Sequence, residues 1–140
     1  MDNEQEQQEL LFKFSMFEKQ IGEMQQQIEA IEKGIVDLSS MNLGLDELVG
    51  AKDREIFASV GRGIFVKAKL ISEDLNVDVG NGNFVKKSIS ETKGLIEEQV
   101  KKLEGIKKEL EQNLEELGEE LTKMMNNSEE HSHEHHKHGE

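Results

Sequence analysis

The sequence contains no cysteine and no proline, and each absence limits what the chain can be. Without cysteine, neither a disulfide nor a thiolate-bound zinc ion can stabilise the fold. Without proline, long helices can continue uninterrupted, because proline inside a helix breaks or kinks it. The composition therefore fits a chain built of long helices and short hairpins.

Long apolar runs and an excess of positive charge are also missing. No stretch approaches the length of a membrane span, and residues 1–9 are acidic and glutamine-rich rather than a signal peptide. Acidic residues outnumber basic residues by 30 to 17, which disfavours a surface that neutralises phosphates. We therefore expect a cytoplasmic protein that binds neither membranes nor nucleic acid.

The sequence shows no arrangement of catalytic side chains. All five histidines lie within residues 131–138, and the carboxylates fall on solvated helix faces. The histidines can bind nickel, copper or zinc, but such tracts bind loosely without a fixed geometry. An adventitious metal tail is favoured over a functional metal site. We expect no enzyme activity and no cofactor.

A short unit is duplicated in the middle of the chain. Residues 60–67 read V-G-R-G-I-F-V-K and residues 79–86 read V-G-N-G-N-F-V-K. Each copy places a Gly-x-Gly turn between β-forming residues, and glycine accepts the positive φ that a tight turn needs. A dinucleotide fingerprint needs a third glycine where Val66 and Val85 stand, so these glycines are interpreted as turns. The unit predicts two tandem β-hairpins, with strands at residues 55–60, 64–70, 74–79 and 83–87.

Heptad-patterned segments of equal length flank the hairpins. Apolar residues alternate at spacings of four and three over residues 10–45, and the same alternation runs over residues 89–124. Asn42 interrupts the first seam, and Lys93 and Lys107 interrupt the second. A repeat averaging about 3.5 residues keeps one seam facing a partner helix, as a coiled coil requires. Each segment has 36 residues, which makes each helix roughly 54 Å long.

Two equal helices joined by a compact insert favour an antiparallel coiled coil within one chain. A parallel dimer through either helix alone is the alternative, and it leaves the equal lengths as a coincidence. We predict an α+β fold in which a long antiparallel coiled-coil hairpin carries two tandem β-hairpins between its helices. The predicted segments are a disordered acidic N-terminus (1–9), helix 1 (10–45), two hairpins for oligomerisation (46–88), helix 2 (89–125) and a disordered His-rich tail (126–140).

Assembly with other subunits is expected because the chain can bury little apolar surface by itself. The helices bury only a seam, and isolated hairpins are marginally stable in water. Residues 46–88 are neutral overall, whereas residues 1–45 and 89–140 carry net charges of −6 and −7. A neutral hairpin block suits close association, while acidic arms repel one another. The residues expected to mediate oligomerisation are Ile56, Val60, Ile64, Val66, Leu70, Val77, Val79 and Val85.

Surplus apolar residues gather at the tip of the predicted coiled coil. Leu11, Phe12 and Met16 fall outside the seam, and antiparallel pairing brings them beside Met124 and Met125. Exposed apolar patches usually mark binding sites, and methionine adapts to varied shapes. The alternative is that these residues only close the coiled coil or pack in a neighbour. The candidate binding residues are Leu10, Leu11, Phe12, Phe14, Met16, Phe17, Leu121, Met124 and Met125.

The order of helix, two hairpins and helix, with V-G-x-G-x-F-V-K repeated, resembles the α-type subunit of prefoldin, most closely its archaeal form. The resemblance covers residues 9–125 and is most specific at residues 61–69 and 77–86, with M-Q-Q-Q-I at residues 24–28 also similar. Two hairpins indicate the α type, since β-type subunits carry one. Asn83 departs from the family, which often has an aromatic or small residue there, and the histidine tail is no family feature.

The resemblance implies a hexamer of two α and four β subunits, in which the hairpins form an oligomeric double β-barrel with coiled-coil arms hanging below. It implies an ATP-independent molecular chaperone subunit that captures unfolded polypeptides at the arm tips and passes them to a group II chaperonin. The candidate binding residues at the tip are then expected to bind clients. The alternative function is a structural coiled-coil spacer, or a homo-oligomeric filament former built on the same hairpins.

Overall fold

The computed structural model of the chain describes the backbone of residues 2–138 and the side chains of residues 3–127. The chain divides into two units, one of Met1–Lys33 with Glu104–Glu140 and one of Gly34–Leu103. The order of elements is the predicted one of helix, two hairpins and helix. In chain order they are α1 (Asp2–Leu48), β1 (Glu55–Gly61), β2 (Ile64–Lys69), β3 (Leu75–Asp78), β4 (Phe84–Lys87) and α2 (Ile89–His138).

Both helices extend beyond the bounds predicted from the heptads. The predicted helix 1 covers residues 10–45, whereas α1 begins at Asp2 and ends at Leu48. The predicted helix 2 covers residues 89–125, whereas α2 continues to His138. Residues 2–9 are mostly Glu and Gln, which have good helix propensity, and each residue added to an existing helix gains a backbone hydrogen bond. Residues 2–9 and 126–138 are therefore helical, whereas the sequence predicts disorder for them. Met1 and residues 139–140 lie outside the described residues.

The first unit, Met1–Lys33 with Glu104–Glu140, contains two helical segments that pair along the predicted seam. Half-buried side chains recur at the seam positions of both segments, and most positions between them are exposed. Leu10 and Met124 line one groove, and Glu32 lies within 3.2 Å of Lys107. Residues further along α1 thus lie beside residues nearer the start of α2. The segments run antiparallel, as predicted.

In the second unit, Gly34–Leu103, the end of α1 meets the start of α2 next to the hairpins. Asp46 of α1 forms an ion pair with Lys93 of α2. Among the described side chains of the chain, only Ala51, Ile89 and Ile96 are buried, and all three belong to this unit. The bulk of the apolar surface in both units is therefore half-buried or exposed.

The side chain of Ser88 caps the start of α2. The Ser88 side-chain oxygen accepts a hydrogen bond of 3.0 Å from the backbone N–H of Glu91, three residues on. A serine at this position satisfies one of the backbone donors that have no partner within the first helical turn. Glu91 also lies in that turn, where the positive end of the helix dipole favours an acid. Ser88 therefore sets the beginning of α2.

The hairpins form two separate two-stranded antiparallel sheets. In the first, Ile56 lies opposite Ala68, with a register shift between Ser59 and Gly61. In the second, Val77 lies opposite Val85. Every strand end falls within one residue of its predicted position. The strands were predictable because alternation and turn glycines are local signals.

The duplicated sequence is also a duplicated conformation. The φ angles are 133°, 47° and 80° at Gly61, Arg62 and Gly63, and 129°, 53° and 76° at Gly80, Asn81 and Gly82. The last two residues of each turn both have a positive φ, as in the two-residue turns whose twist matches that of the hairpin strands. Glycine adopts this region without the clash that a Cβ atom causes.

Candidate binding and assembly surfaces

An open groove of about 550 Å³ lies in the unit formed by Met1–Lys33 and Glu104–Glu140. Phe12 is 68% exposed and Met16 is 45% exposed, because both fall outside the seam. Residues four positions apart lie on the same side of a helix, so the two side chains form a ridge along the groove. We call this the tip groove. It is lined by Leu10, Phe12, Lys13, Met16, Phe17, Gln20, Met124 and Asn127.

The nine candidate binding residues predicted for the tip occupy three different environments. Leu10, Phe12, Met16, Phe17 and Met124 line the tip groove. Leu11 and Met125 are exposed but do not line it, and Phe14 and Leu121 are half-buried in the seam. The structure therefore brings five of the predicted residues together and leaves the other four outside the groove.

Sequence reasoning missed three polar residues of the tip groove, namely Lys13, Gln20 and Asn127. A search for apolar residues outside the seam cannot find them. Helical spacing alone could have indicated Gln20, because it continues the series of Phe12 and Met16 at intervals of four residues. Of the side chains that the structure describes, Lys13 is the only charged one in the lining.

The hairpins of the Gly34–Leu103 unit carry an exposed apolar surface. Of the eight residues predicted to mediate oligomerisation, five are exposed in the single chain, and Ile56, Leu70 and Val77 are half-buried. Because strand residues alternate between two faces, a hairpin of two strands cannot cover both faces by itself. The exposed five are Val60, Ile64, Val66, Val79 and Val85.

Within residues 55–87, four further large apolar side chains are exposed that are not among the predicted assembly residues. Phe57 is 70% exposed and Ile71 is 80% exposed, and Phe65 and Phe84 are exposed as well. Phe57 lies opposite Lys67 and Phe84 lies opposite Asp78, so these rings stand beside charged residues. The alternation of the strands places Phe57, Phe65 and Phe84 on the face opposite to the predicted assembly residues, so the sequence does contain a signal for these three.

Charged and polar residues interrupt the seam at three places in the described chain. The hydrogen bond from Lys107 to Glu32, together with the charge of Glu32, raises the pKa of Lys107, and Glu111 contributes in the same direction. The side-chain oxygen of Asn42 is buried and accepts no hydrogen bond from the described residues.

Within the part of the chain that the structure describes, no cluster of His, Asp or Glu is arranged to hold a metal. The side chains of the predicted metal tail lie outside that part.

None of the helices has, within its described residues, an apolar stretch sufficient to traverse a lipid bilayer. Two long helices with two tandem hairpins between them define a class of coiled-coil proteins that carry β-hairpins between their helices. The family model of Prefoldin, described as prefoldin subunit, matches residues 12–134. The chain belongs to the prefoldin family.

Relatives of known name identify the type of subunit. A protein named prefoldin subunit alpha from Methanobrevibacter smithii is 33% identical over 105 residues, which cover 74% of this chain and 72% of that protein. Another of the same name from Methanosphaera stadtmanae is 25% identical over 92 residues, which cover 66% of this chain and 67% of that protein. The predicted resemblance to an archaeal α-type prefoldin subunit is confirmed.

A solved structure supports the fold. The cryo-EM structure of filamentous PFD from Methanocaldococcus jannaschii aligns with a TM-score of 0.71 at 22% identity, covering 81% of this chain and 95% of that chain. The family therefore makes this chain a chaperone-type subunit that assembles with other prefoldin subunits.

Proposed function

We propose that this chain is the α subunit of an ATP-independent chaperone and that it captures unfolded polypeptides in the tip groove. The observation that supports this most directly is the accessible apolar lining formed by Phe12, Met16 and Met124. Unfolded chains expose apolar side chains of many shapes, and flexible methionines adapt to them. Each apolar side chain withdrawn from water gains roughly 1.5–3 kcal/mol, so a few contacts give weak and reversible capture.

The hairpins provide the assembly surface in this proposal. Their exposed valine, isoleucine and phenylalanine side chains are covered when hairpins of neighbouring subunits join into a double β-barrel. The proposed complex contains two α and four β subunits and delivers its clients to a group II chaperonin. The acidic arms, with net charges of −6 and −7 in residues 1–45 and 89–140, repel one another and keep the tips apart.

The test separates the groove from the rest of the tip. A double variant, Phe12→Ser with Met16→Ser, removes the exposed ridge of the groove. The matched control, Leu11→Ser with Met125→Ser, removes two exposed apolar residues that do not line it. Each variant is mixed with a β-type partner, sized by light scattering, and assayed for protection of an unfolded protein against aggregation.

We expect both variants to assemble at wild-type size, because none of the four residues belongs to the seam. Only the groove variant should lose protection. Full protection by the groove variant contradicts the proposal, and equal loss in both variants places the client surface over the whole tip instead.

A second function is favoured by the likeness to a filamentous PFD. In that case the same hairpins join copies of this chain into a homo-oligomeric filament. Electron microscopy of the purified chain, alone and with a β-type partner, distinguishes the two. Filaments from the chain alone, with no protection of an unfolded protein, favour the filament.

A further inference from the structure

A second groove, of about 390 Å³, adjoins the tip groove within the unit formed by Met1–Lys33 and Glu104–Glu140. Gln20 lines both grooves, so the two grooves meet at this residue. On α1, Met16, Gln20, Glu23 and Gln27 follow one another at intervals of three or four, which places these lining residues on one flank of the helix. The second groove is lined by Gln20, Glu23, Met24, Gln27, Asn113, Glu116, Leu117 and Glu120.

The two grooves differ in the chemistry of their linings. Among the described side chains, the lining of the tip groove is mostly apolar, with no acid and with Lys13 as its one charged residue. The second groove contains three carboxylates, from Glu23, Glu116 and Glu120, and no cation from residues 3–127 lines it. In the side chains of residues 3–127, none of the ion pairs involves these three glutamates.

Two lysines lie within one helical turn of these carboxylates along the sequence. Lys19 precedes Glu23 by four residues, and Lys123 follows Glu120 by three. Neither lysine lines the second groove. The groove therefore presents negative charge to whatever occupies it, beside an apolar pocket.

Resting on the proposed function, we infer that the preferred clients are unfolded segments in which a cluster of large apolar residues is followed by lysine or arginine. The apolar cluster occupies the tip groove, and the basic residues reach the second groove. Glu23 lies seven residues beyond Met16 on α1, or about 10 Å along the helix axis. An extended client covers that distance with about three residues. Charge complementarity selects this occupant over neutral or acidic segments.

The test uses three fluorescent, unstructured peptides with one apolar cluster and a following segment rich in Lys, Gln or Glu. Their binding to the assembled complex is measured by fluorescence anisotropy. The second-groove variant combines Glu23→Gln, Glu116→Gln and Glu120→Gln. The control variant combines Glu18→Gln, Glu115→Gln and Glu119→Gln, which removes the same charge from residues that line neither groove.

We expect the wild-type complex to bind the Lys peptide about tenfold more tightly than the Glu peptide, the sum of several weak exposed pairs. The second-groove variant should reduce this ratio of affinities to near one, and its control variant should leave the ratio unchanged. The ratio should fall with added salt, because screening acts over about 10 Å at 0.1 M ionic strength.

Equal binding of all three peptides to the wild type, or equal loss of the preference in both variants, overturns the inference. The neutral Gln peptide separates this failure from that of the proposed function. If it binds the wild type and not the Phe12→Ser, Met16→Ser variant, the tip groove holds clients without charge selection. If no peptide binds the wild type, both proposals fail.

Discussion

Lys107 of α2 lies 3.2 Å from Glu32 of α1, measured from Nζ to Oε1, at a seam position where the heptad pattern predicts an apolar residue. In the other unit Lys93, also at a seam position, pairs with Asp46. Two heptads separate the lysines, and two heptads separate their acidic partners. A slip of one heptad places Gln25 or Ser39 opposite Lys107. The two pairs therefore favour this register over its neighbours.

Charge reversal tests the pair of Glu32 and Lys107. Glu32→Lys and Lys107→Glu should each lower the melting temperature, because each places like charges together across the seam. The double variant should recover part of the loss, measured by circular dichroism of the isolated chain. Recovery should be incomplete, since Glu111 lies 3.7 Å from Lys107 and repels a glutamate there. Additive losses in the double variant contradict an interaction between the two residues.

The pH dependence of the same pair has a definite sign. The pKa of Lys107 is raised in the folded chain, first by its hydrogen bond to Glu32. The stability that the folded chain gains from the charged Lys107 is therefore complete below the ordinary pKa of 10.5. It is lost as the pH rises through the higher pKa of the folded state. We expect the difference in melting temperature between wild type and Glu32→Gln to be constant from about pH 7 to 9 and to shrink above about pH 10.5. A difference that grows at high pH contradicts this assignment.

Asn42 should cost stability, because its buried side-chain oxygen has no hydrogen-bond partner among the described residues. Asn42→Leu should raise the free energy of unfolding by about 1–3 kcal/mol, measured in urea. Asn42→Asp is the control of similar shape and should lower it, since it buries a charge. A lower stability of the leucine variant indicates that the amide is satisfied by a partner in solution.

Glycine to alanine substitutions should have opposite signs in the hairpin and in the helix. Gly63 has a φ of 80°, so Gly63→Ala should destabilise the first hairpin by about 1 kcal/mol. Gly105 lies within α2, and nothing stands within 4 Å of an added Cβ, so Gly105→Ala should stabilise by about 0.5–1 kcal/mol. Hydrogen exchange of the β1–β2 amides and urea unfolding measure the two effects. A stability change of the same sign in both variants contradicts the φ assignment at Gly63.

Assembly should depend on apolar residues that contribute little to the fold of the single chain. Val79 is exposed in the second hairpin, so Val79→Asp should leave the helical content of the isolated chain unchanged. In the assembled complex it buries an unpaired charge, which costs several kcal/mol, and the complex should dissociate. Val79→Thr keeps the size without the charge and serves as the control. Light scattering that finds Val79→Asp in a complex of wild-type size excludes this surface from the interface.

Local patterns made much of this fold predictable. The V-G-x-G repeat located both turns, because a positive φ at Gly63 or Gly82 is required by the turn itself, and period-two alternation located the strands to within one residue. The heptads located the seam, because a repeat near 3.5 keeps one face of a helix toward its partner. The helix ends were less predictable, since residues 2–9 have helix propensity but no apolar pattern.

The sequence by itself determined the order of elements, the seam and the turns, because each depends on residues that are neighbours along the chain. Only the tertiary structure decided which residues share a surface. It placed Phe12 in the tip groove and Leu11 outside it, although they are adjacent and equally exposed. It also joined Gln20 of α1 to Glu116 and Glu120 of α2 in a second groove. These groupings depend on how two helices face each other, and that is set by packing between residues nearly a hundred positions apart.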